Sequence, residues 1–432
     1  MNLSRYLKIW PQPGKPGASL VFSTRTGSTT VIPALALERL RRGDVPASAV
    51  EALTRLGVGV EDIGAERAAG LGYLDQVNRV DPGVTAAVIL GMGCNFACPY
   101  CYEGTNGDPS MDETTGRALI AFLKTRFRLG KQTLTLDLYG GEPLLYRDRI
   151  RQLAASLKPW VEGQGGRFRF TLVTNGSLLT PEVVDELLPL GLVSAKVTVD
   201  GPADLHDRSR PYAGGRASFA AVLANLRAVC ERVKVGLGGN YTAANWRRFP
   251  ELLDDLQTTG LGPDRLAQVS FSPVLATDAA PEACAGCASV NDPWLAEAAT
   301  ALRGEILRRG YSAPKITPSP CMVDLTDALV ANWDGSLTKC PALIGRKEFA
   351  VGDLWNGVTG DVEATFGGPR WKMEESCQDC SYLPLCFGGC RTIQYQRTST
   401  MAGVECQKPF LDATLEPMIR QDVQHRWTTS VS

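Results

Sequence analysis

The chain of 432 residues has almost no histidine, since His206 and His425 are its only two, while cysteine occurs 13 times. This scarcity argues against catalysis by histidine bases and against histidine-rich metal sites. The chain also lacks any apolar run near the ~18 residues that a membrane span needs. Its net charge of −1 gives no sign of a nucleic-acid or anionic-membrane partner.

A signal peptide is also missing from the pattern. The opening MNLSRYLKIW contains no hydrophobic segment followed by small residues. We therefore expect a cytoplasmic protein that binds neither nucleic acid nor membrane. In that reducing compartment, clustered cysteines bind metal more often than they form disulfides. The length predicts roughly two to three domains.

The middle of the chain alternates apolar, β-branched runs with stretches of helical periodicity, such as DETTGRALIAFLKTRF. The predicted strands are TAAVILGM (85–92), TLTLDLYGG (133–141), FRFTLVTNG (168–176), SAKVTVDG (194–201), VKVGLGGNYT (233–242) and AQVSFSPV (267–274). Continuous apolar strands separated by helices indicate a parallel sheet covered by helices. We predict an α/β fold, a partial (β/α)6 barrel similar to a TIM barrel, with its chemistry at the carboxyl ends of the strands.

Three cysteines follow the first predicted strand, in the stretch GCNFACPYCYEG at 93–104. Cys94, Cys98 and Cys101 form an unusual set, because zinc ions and iron–sulfur clusters commonly take four protein ligands. Their position after a strand is where a ligand site is expected. The segment itself does not supply a fourth ligand.

A second group of cysteines lies near the end of the chain. It consists of Cys321, Cys340, Cys377, Cys380, Cys386, Cys390 and Cys406. Seven thiols in so short a region suit about two polynuclear sites or two zinc ions. A zinc-ribbon module is the plain structural alternative. Cys230, inside the helical pattern AAVLANLRAVCERV, is interpreted as an inert thiol.

The pattern Cys94-x3-Cys98-x2-Cys101, with Tyr100 before the last cysteine, resembles the signature of radical S-adenosylmethionine (SAM) enzymes. The later cysteines resemble the SPASM extension of that family, so the resemblance covers roughly residues 85 to 410. It implies that three thiolates hold a [4Fe–4S] cluster whose open iron is chelated by the amino and carboxylate groups of SAM. An electron, delivered by a protein such as flavodoxin or ferredoxin, would then release a 5′-deoxyadenosyl radical.

The resemblance also implies a set of SAM-binding residues at the ends of the predicted strands. These are Tyr100, Gly140, Gly141, Glu142, Pro143, Thr174, Asn175 and Asp200. The GGEP segment would receive the SAM ammonium. Thr174 and Asn175 would lie near the SAM ribose or carboxylate, and Asp200 would lie near the substrate. His206, Asp207 and Arg210 follow in the pattern HDRxR. For His206 a hydrogen bond that orders the loop and a functional role are equally open.

By the same resemblance the late cysteines divide into two auxiliary [4Fe–4S] clusters, making three clusters in all. Cys377, Cys380, Cys386 and Cys406 would hold the second auxiliary cluster, and Cys321, Cys340 and Cys390 would hold the first. A fourth ligand of the first could be Cys284 or Cys287. We favour instead an iron that is open to a substrate thiolate.

The first 84 residues differ from the repeats that follow. The segment LKIWPQPGKPGASLVFSTRTGSTTVIP predicts short strands, and ALALERLRRGDVPASAVEALTRLG predicts two short helices. This organisation resembles the small winged-helix element that binds leader peptides as an added strand, although a simple N-terminal cap is the alternative. We predict three domains: a recognition domain at 1–84, a radical SAM barrel at 85–310 and a SPASM domain at 311–432.

The whole organisation, including NLSRYLKIWP, resembles peptide maturases of the geopeptide type. It implies modification of a ribosomally made precursor peptide, with an intramolecular thioether or carbon–carbon cross-link as the product. Within enzymes, the alternative is oxidation of a Cys or Ser to formylglycine, as in sulfatase maturases. A non-catalytic electron-transfer or zinc-binding protein is the alternative from another class.

Overall fold

The computed structural model describes residues 1–12, 14–103, 108–128, 130–276, 286–287 and 289–429. Its first part is a three-stranded antiparallel sheet, in the order β2-β3-β4, with helices and a second strand pair beside it. The elements are β1 (Asn2–Leu3), β2 (Leu7–Pro11), β3 (Ala18–Ser23), β4 (Thr29–Pro33), α1 (Ala34–Arg41), α2 (Ala47–Arg55), β5 (Gly59–Val60), α3 (Ile63–Leu71) and α4 (Tyr73–Val80). The predicted strands and helix pair are present, whereas α3 and α4 were not predicted.

The centre of the fold is a ten-stranded sheet whose first six strands are parallel and follow chain order. These strands are β6 (Gly83–Ile89), β7 (Thr133–Tyr139), β8 (Arg167–Thr174), β9 (Leu192–Thr198), β10 (Lys234–Tyr241) and β11 (Gln268–Pro273). All six predicted strands are confirmed, and their order is that of a partial (β/α)6 barrel.

Helices connect these strands and pack on one face of the sheet. They are α5 (Glu113–Arg126), α6 (Arg147–Gly163), α7 (Pro181–Leu187), α8 (Ala203–Ser209), α9 (Phe219–Val229), α10 (Phe249–Thr258) and α11 (Pro293–Arg308). The start of α5 is set by Asp112, whose side chain accepts a hydrogen bond from the Thr115 amide. In the same way, Thr180 caps α7.

The burial of the strands differs from the continuous apolar pattern that we predicted. In β7, Leu134, Leu136 and Leu138 are buried against the helices, while Thr135 and Asp137 between them are only half-buried. A strand that is covered on one face needs apolar residues at every second position only. The other face is therefore free to carry polar side chains.

The end of the chain extends the sheet and adds a helical, cysteine-rich region. Its elements are β12 (Ala328–Ala331), β13 (Ser336–Thr338), β14 (Gly352–Asp353), β15 (Gly357–Val358), α12 (Val362–Phe366), α13 (Arg370–Met373), α14 (Glu375–Gln378), α15 (Leu383–Cys386), α16 (Arg391–Thr398) and α17 (Lys408–Thr429). Strand β12 pairs with β6 in parallel, and β13 to β15 continue the sheet in antiparallel pairs. Short 3-10 helices lie at Pro143–Tyr146, Trp246–Arg248, Met322–Asp324, Pro341–Leu343 and Lys347–Phe349.

The N-terminal part packs directly on this cysteine-rich region. Leu20 and Phe22 of β3 share an apolar cluster with Leu415 and Ile419 of α17. Polar contacts surround the cluster; Thr24 Oγ1, for example, donates a hydrogen bond to the carbonyl of Ser381 at 2.6 Å. None of the helices in the described ranges combines the length and apolar character of a membrane span.

Candidate functional site

Cys94, Cys98 and Cys101 lie in the loop after β6, at the carboxyl edge of the parallel strands. The loop is fixed by buried Phe96, whose ring packs edge-on against Tyr212 with centroids 4.9 Å apart. Cys94 and Cys98 are half-buried and Cys101 is exposed. The predicted triad therefore forms one local group that opens to the surface.

The three thiols influence one another electrostatically. Burial raises the pKa of Cys98 to about 12; Arg210 opposes this rise, and the thiolates of Cys101 and Cys94 add to it. Burial also raises the pKa of Cys94. Because a cluster binds thiolates, iron would have to replace the protons of these thiols.

A close approach of two backbone segments forms the floor beside the triad. A Cβ atom on Gly141 would lie 2.2 Å from the carbonyl oxygen of Gly93, and Gly140 has a φ of +121°. Side chains are excluded at both positions. The glycines of the GGEP segment thus bring the end of β7 against the start of the cysteine loop.

Glu142 is fully buried and joins the ends of two neighbouring strands. Its carboxylate accepts hydrogen bonds from the Asn175 amide at 2.8 Å, from Thr174 Oγ1 at 2.8 Å and from the Leu144 amide at 3.1 Å. Burial raises the pKa of Glu142, and these donors oppose the rise. The hydrogen-bond partners of Glu142 are thus groups of the chain itself. The contact with a SAM ammonium stays a prediction, while Pro143 is buried at the start of a 3-10 helix.

Asn175 links this strand end to the triad. Its side-chain amide donates to Asn95 Oδ1 at 2.8 Å and lies 3.9 Å from Cys94 Sγ. Thr174, by contrast, is turned toward Glu142 and is 4% exposed. Of this pair, Asn175 is the residue that contacts the cysteine group.

A polar network surrounds the hydroxyl of Tyr100. Tyr100 donates to the carboxylate of Asp200, which also accepts from the amide of Asn240 at 2.7 Å. Arg210 Nη1 donates to Tyr100 Oη at 2.6 Å and Asn240 Nδ2 does so at 3.2 Å. The network ties the cysteine loop to the ends of β9 and β10. Asn240 was not identified from the sequence, and no partner was predicted for Arg210.

His206 has a structural environment. Its Nδ1 accepts from the Asp200 amide at 3.1 Å, and Ser218 Oγ donates to the Arg210 carbonyl at 2.6 Å. The hydrogen bond between His206 Nε2 and Ser218 Oγ therefore has Nε2 as the donor. Burial lowers the pKa of His206 to about 3. This neutral ring orders the loop, which favours the first of the two roles left open.

The late cysteines form two further groups of interacting thiols. In one, Cys321 and Cys390 both raise the pKa of Cys340, which burial brings to about 11. In the other, burial raises the pKa of Cys377 to about 11, and the thiols of Cys386, Cys380 and Cys406 add to the rise. These memberships are the ones that the resemblance implies; ligation itself stays a prediction.

Cys287 lies beside the first of these groups. It is 1% exposed, and burial raises its pKa to about 11, with Asp292, Cys390 and Glu405 adding to the rise. Of the first auxiliary group, Cys390 is the member that acts on it. Cys284 lies outside the described residues.

The spacing of these thiols bears on the metal that they suit. Across the described ranges, no three His, Cys, Asp or Glu side chains form a group that could hold a single metal ion. A [4Fe–4S] cluster binds each thiolate to a different iron, so its ligands stand further apart than those of one ion. The groups of three and four interacting thiols agree in number with the two clusters that the resemblance implies, and the metal that they hold stays a prediction.

Comparison with known proteins identifies the domain that carries the triad. The model of the Radical SAM superfamily matches residues 88–256. This range contains the triad, the GGEP turn, Asn175, Asp200 and Asn240. It covers the parallel strands β7 to β10 and the last two residues of β6.

Curated relatives match over different lengths. PqqA peptide cyclase of Ruegeria pomeroyi is 26% identical over 69% of this chain and 79% of its own length. AdoMet-dependent heme synthase of Methanosarcina barkeri is 33% identical, over 32% of this chain and 36% of the synthase. A serine-type anaerobic sulfatase-maturating enzyme of Klebsiella aerogenes is 27% identical, over 32% and 34%. The chain thus spans only about a third of the latter two proteins.

Solved structures share the fold. That of anSMEcpe with bound AdoMet covers 78% of this chain and 98% of its own, with 16% identity and a TM-score of 0.62. That of Streptococcus suis SuiB bound to the precursor peptide SuiA covers 94% and 98%, with 13% identity and a TM-score of 0.55. Residues 88–256 thus match a radical SAM domain, and these structures show that the chain shares their fold.

Proposed function

We propose that the chain is a radical SAM peptide maturase, which cleaves SAM and modifies a ribosomally made precursor peptide. The observation that carries this proposal is the group of three thiols beside the Gly140–Gly141 turn, open to the surface at the carboxyl edge of the sheet. When bound, a three-thiolate [4Fe–4S] cluster supplies the electron that converts SAM into a hydrogen-abstracting radical. The chain's task is to orient SAM and to shield the reaction from water.

Individual residues divide this task. Cys94, Cys98 and Cys101 would hold the cluster, and the Gly140–Gly141 turn leaves room for a ligand to approach the backbone. Asn175 offers an amide beside Cys94. These groups are held on strand ends whose register is fixed by the parallel sheet, which favours a rigid site.

The Tyr100 network serves to position the cysteine loop. Asp200 is fully buried, and burial raises its pKa, while Arg210 and Tyr100 oppose the rise. Arg210 lies 3.7 Å from the Asp200 carboxylate and compensates its negative charge, so Tyr100 can take part in the network as a neutral hydroxyl. It holds Tyr100 next to Cys101.

Three features support a peptide as the substrate. The cyclase relative is named for a peptide and matches over most of its length. The SuiB structure, which holds a precursor peptide, matches almost the whole chain. The N-terminal sheet also offers β4 as an edge strand to which a leader peptide could add. We further propose two auxiliary [4Fe–4S] clusters, a flavodoxin or ferredoxin as reductant, a cytoplasmic location, and a thioether or carbon–carbon cross-link as product.

Formylglycine formation is the second candidate. The matches to a sulfatase-maturating enzyme and to anSMEcpe favour it. The anSMEcpe structure covers 78% of this chain, however, whereas SuiB covers 94%. This difference supports a substrate that also engages an additional recognition element.

The test uses the full chain, reconstituted anaerobically with iron and sulfide. Replacing Cys94, Cys98 and Cys101 together by Ala should abolish 5′-deoxyadenosine formation and leave about two-thirds of the iron. Cys230→Ala is the matched control, because this thiol lies at the end of α9 outside the three groups; it should keep both. Formation of 5′-deoxyadenosine by the triple variant at the parent rate would refute the assignment.

The product distinguishes the two candidates. A short peptide encoded beside the gene is incubated with the enzyme and SAM, and the product is treated with a hydrazide probe. A cross-linked product has lost a pair of hydrogens and does not react. A product that reacts contains an aldehyde and supports formylglycine formation instead.

A further inference from the structure

Arg370, at the start of α13, is a buried cation beside a cysteine. It is 4% exposed, and its Nη2 donates to the carbonyls of Gly388 at 3.1 Å and Gly389 at 2.9 Å, the two residues before Cys390. Its Nε and Nη1 are buried and lack a hydrogen-bond partner among the described residues. Two of its donor nitrogens therefore point into protein without an acceptor.

Arg370 also lacks the counter-charge that its neighbour has. The nearby Arg391 forms an ion pair with Asp324 at 2.6 Å and donates to the carbonyls of Phe366 and Gly368. Within the described part of the chain no such carboxylate partner is found for Arg370. Burial lowers its pKa to about 10 and Arg391 adds to this, while Asp324, Cys390 and Cys321 oppose it.

A buried cation without a counter-charge is costly, because hydrogen bonds to two carbonyls replace only part of the hydration that it loses. A cavity of about 330 Å³ adjoins this segment, and Pro369, Trp371 and Arg391 line it, whereas Arg370 does not. An anion in contact with Nε and Nη1, the two nitrogens without an acceptor, would offset the free-energy cost of burying Arg370.

The thiols of Cys321, Cys340 and Cys390 would carry such an anion. Three thiolates outweigh the double positive charge of an oxidised [4Fe–4S] core, so the loaded site is negative with or without a fourth ligand. The unpaired guanidinium thus fits the cluster that these thiols are proposed to hold.

The geometry points to Arg370 as the positive partner of the first auxiliary cluster, and to a reduction potential of that cluster that Arg370 raises. This inference rests on the proposed function, which places a cluster at these three thiols. One electron taken from an external reductant such as dithionite adds one negative charge to the cluster. A fixed cation near the cluster stabilises that reduced state more than the oxidised one.

The experiment measures potentials in a holoenzyme that lacks the triad through Cys94, Cys98 and Cys101→Ala, so that the auxiliary clusters alone are seen. In a spectroscopic titration with dithionite, Arg370→Met should lower the reduced-to-oxidised ratio of one cluster at least tenfold, which is about 59 mV for one electron. The other auxiliary cluster is the internal reference and should not shift. Arg370→Lys, which keeps the charge, should shift the first cluster less than Arg370→Met does.

Arg303→Met is the matched control for losing a buried arginine. Arg303 has an 11% exposed side chain and pairs with Asp422 at 2.5 Å, between α11 and α17. Its replacement should lower thermal stability without moving either potential. Unchanged potentials in a fully loaded Arg370→Met protein would overturn the inference.

If the Arg370→Met protein fails to assemble the first auxiliary cluster, the melting temperature of its apoprotein decides between two explanations. If Arg370 serves the cluster, removing an unpaired charge leaves the apoprotein at least as stable as its parent. If the apoprotein instead melts well below its parent, Arg370 is a structural tie for Gly388 and Gly389, and the inference is wrong. If the parent chain assembles no auxiliary cluster, the proposed function fails first and removes the basis of this inference.

Discussion

The carboxylate of Glu142 accepts a hydrogen bond from the backbone amide of Asn175 at 2.8 Å. This contact joins the end of β7 to the end of β8, so the GGEP turn and the residue beside Cys94 are parts of one unit. Parallel strands bring such ends to the same edge, but the hydrogen bond fixes their distance. The position of Asn175 therefore depends on a side chain from the neighbouring strand.

Glu142→Gln should loosen this unit. A glutamine has one acceptor oxygen in place of two and turns an N–H toward a backbone donor, although it also relieves the burial of a charge. We expect the free energy of unfolding to fall by about 1–3 kcal/mol, measured by denaturant unfolding of the apoprotein. Glu113→Gln, at an exposed pair with Arg117, is the control and should cost under about 0.5 kcal/mol. Equal stabilities of the two variants would contradict this prediction.

His206 should make stability depend on pH. Its pKa is lowered to about 3 by burial, while an unfolded histidine titrates near about 6.5. Below pH ~6.5 the unfolded chain binds a proton that the folded chain refuses, so stability is full above that pH and falls toward pH ~3. Between pH 7.5 and 5.5 this one group should cost roughly 1.4 kcal/mol.

His206→Asn should remove that part of the pH dependence, since asparagine does not titrate. The measurement is the difference between unfolding free energies at the two pH values. His425→Asn is the control, because His425 is the other histidine of the chain; this variant should keep the parent difference. A parent-like difference in His206→Asn would assign the pH dependence to other groups.

The edge of β4 offers a sharper test of peptide recognition than deletion of residues 1–84, which would uncover the apolar cluster on α17. The amide of Ala34 donates to Gly17 across β3 and β4, so by alternation the N–H of Val31 points outward. Val31→Pro should weaken binding of the precursor about three- to tenfold. Val31→Ala keeps the N–H and should bind more tightly than Val31→Pro in a titration of labelled precursor. Equal dissociation constants for both variants would argue against strand addition at this edge.

Replacing Cys287 tests whether the first auxiliary site is open. Cys390 is its neighbour within that group, and Cys287 is 1% exposed. We expect Cys287→Ala, and likewise Cys284→Ala, to retain the full iron content of the reconstituted enzyme, with Cys230→Ala as the control. Loss of about a third of the iron from either variant would indicate a site that the protein closes. A carbon–carbon cross-link would then be favoured over a thioether.

The sequence predicted the parallel strands because their apolar runs are interrupted by clear helical periods. It did not predict α3 and α4, since Gly64, Gly70 and Gly72 weaken the helical pattern there. The cysteine groups could be predicted from the sequence because the spacing of the cysteines identifies them. The contacts of Tyr100 with Asp200, Arg210 and Asn240 could not be predicted. They depend on the register of β9 and β10, which the spacing of residues along the sequence does not reveal.

The N-terminal element is attached to the segment that carries Cys377 and Cys380. Arg5 pairs with Asp379 at 2.5 Å, 374 residues further along the chain, and Tyr6 shares an apolar cluster with Cys377. The surface that receives the element is therefore synthesised long after the element itself. Contacts of such long sequence separation form late in folding, because the closure of the intervening chain must precede them. A ligand that binds the N-terminal element more tightly when the element is docked will stabilise the docked form. Because docking requires the folded Cys377 region, binding of that ligand also stabilises this region. If the proposed leader peptide adds to this element, it would bind more tightly once the segment around Cys377 is in place.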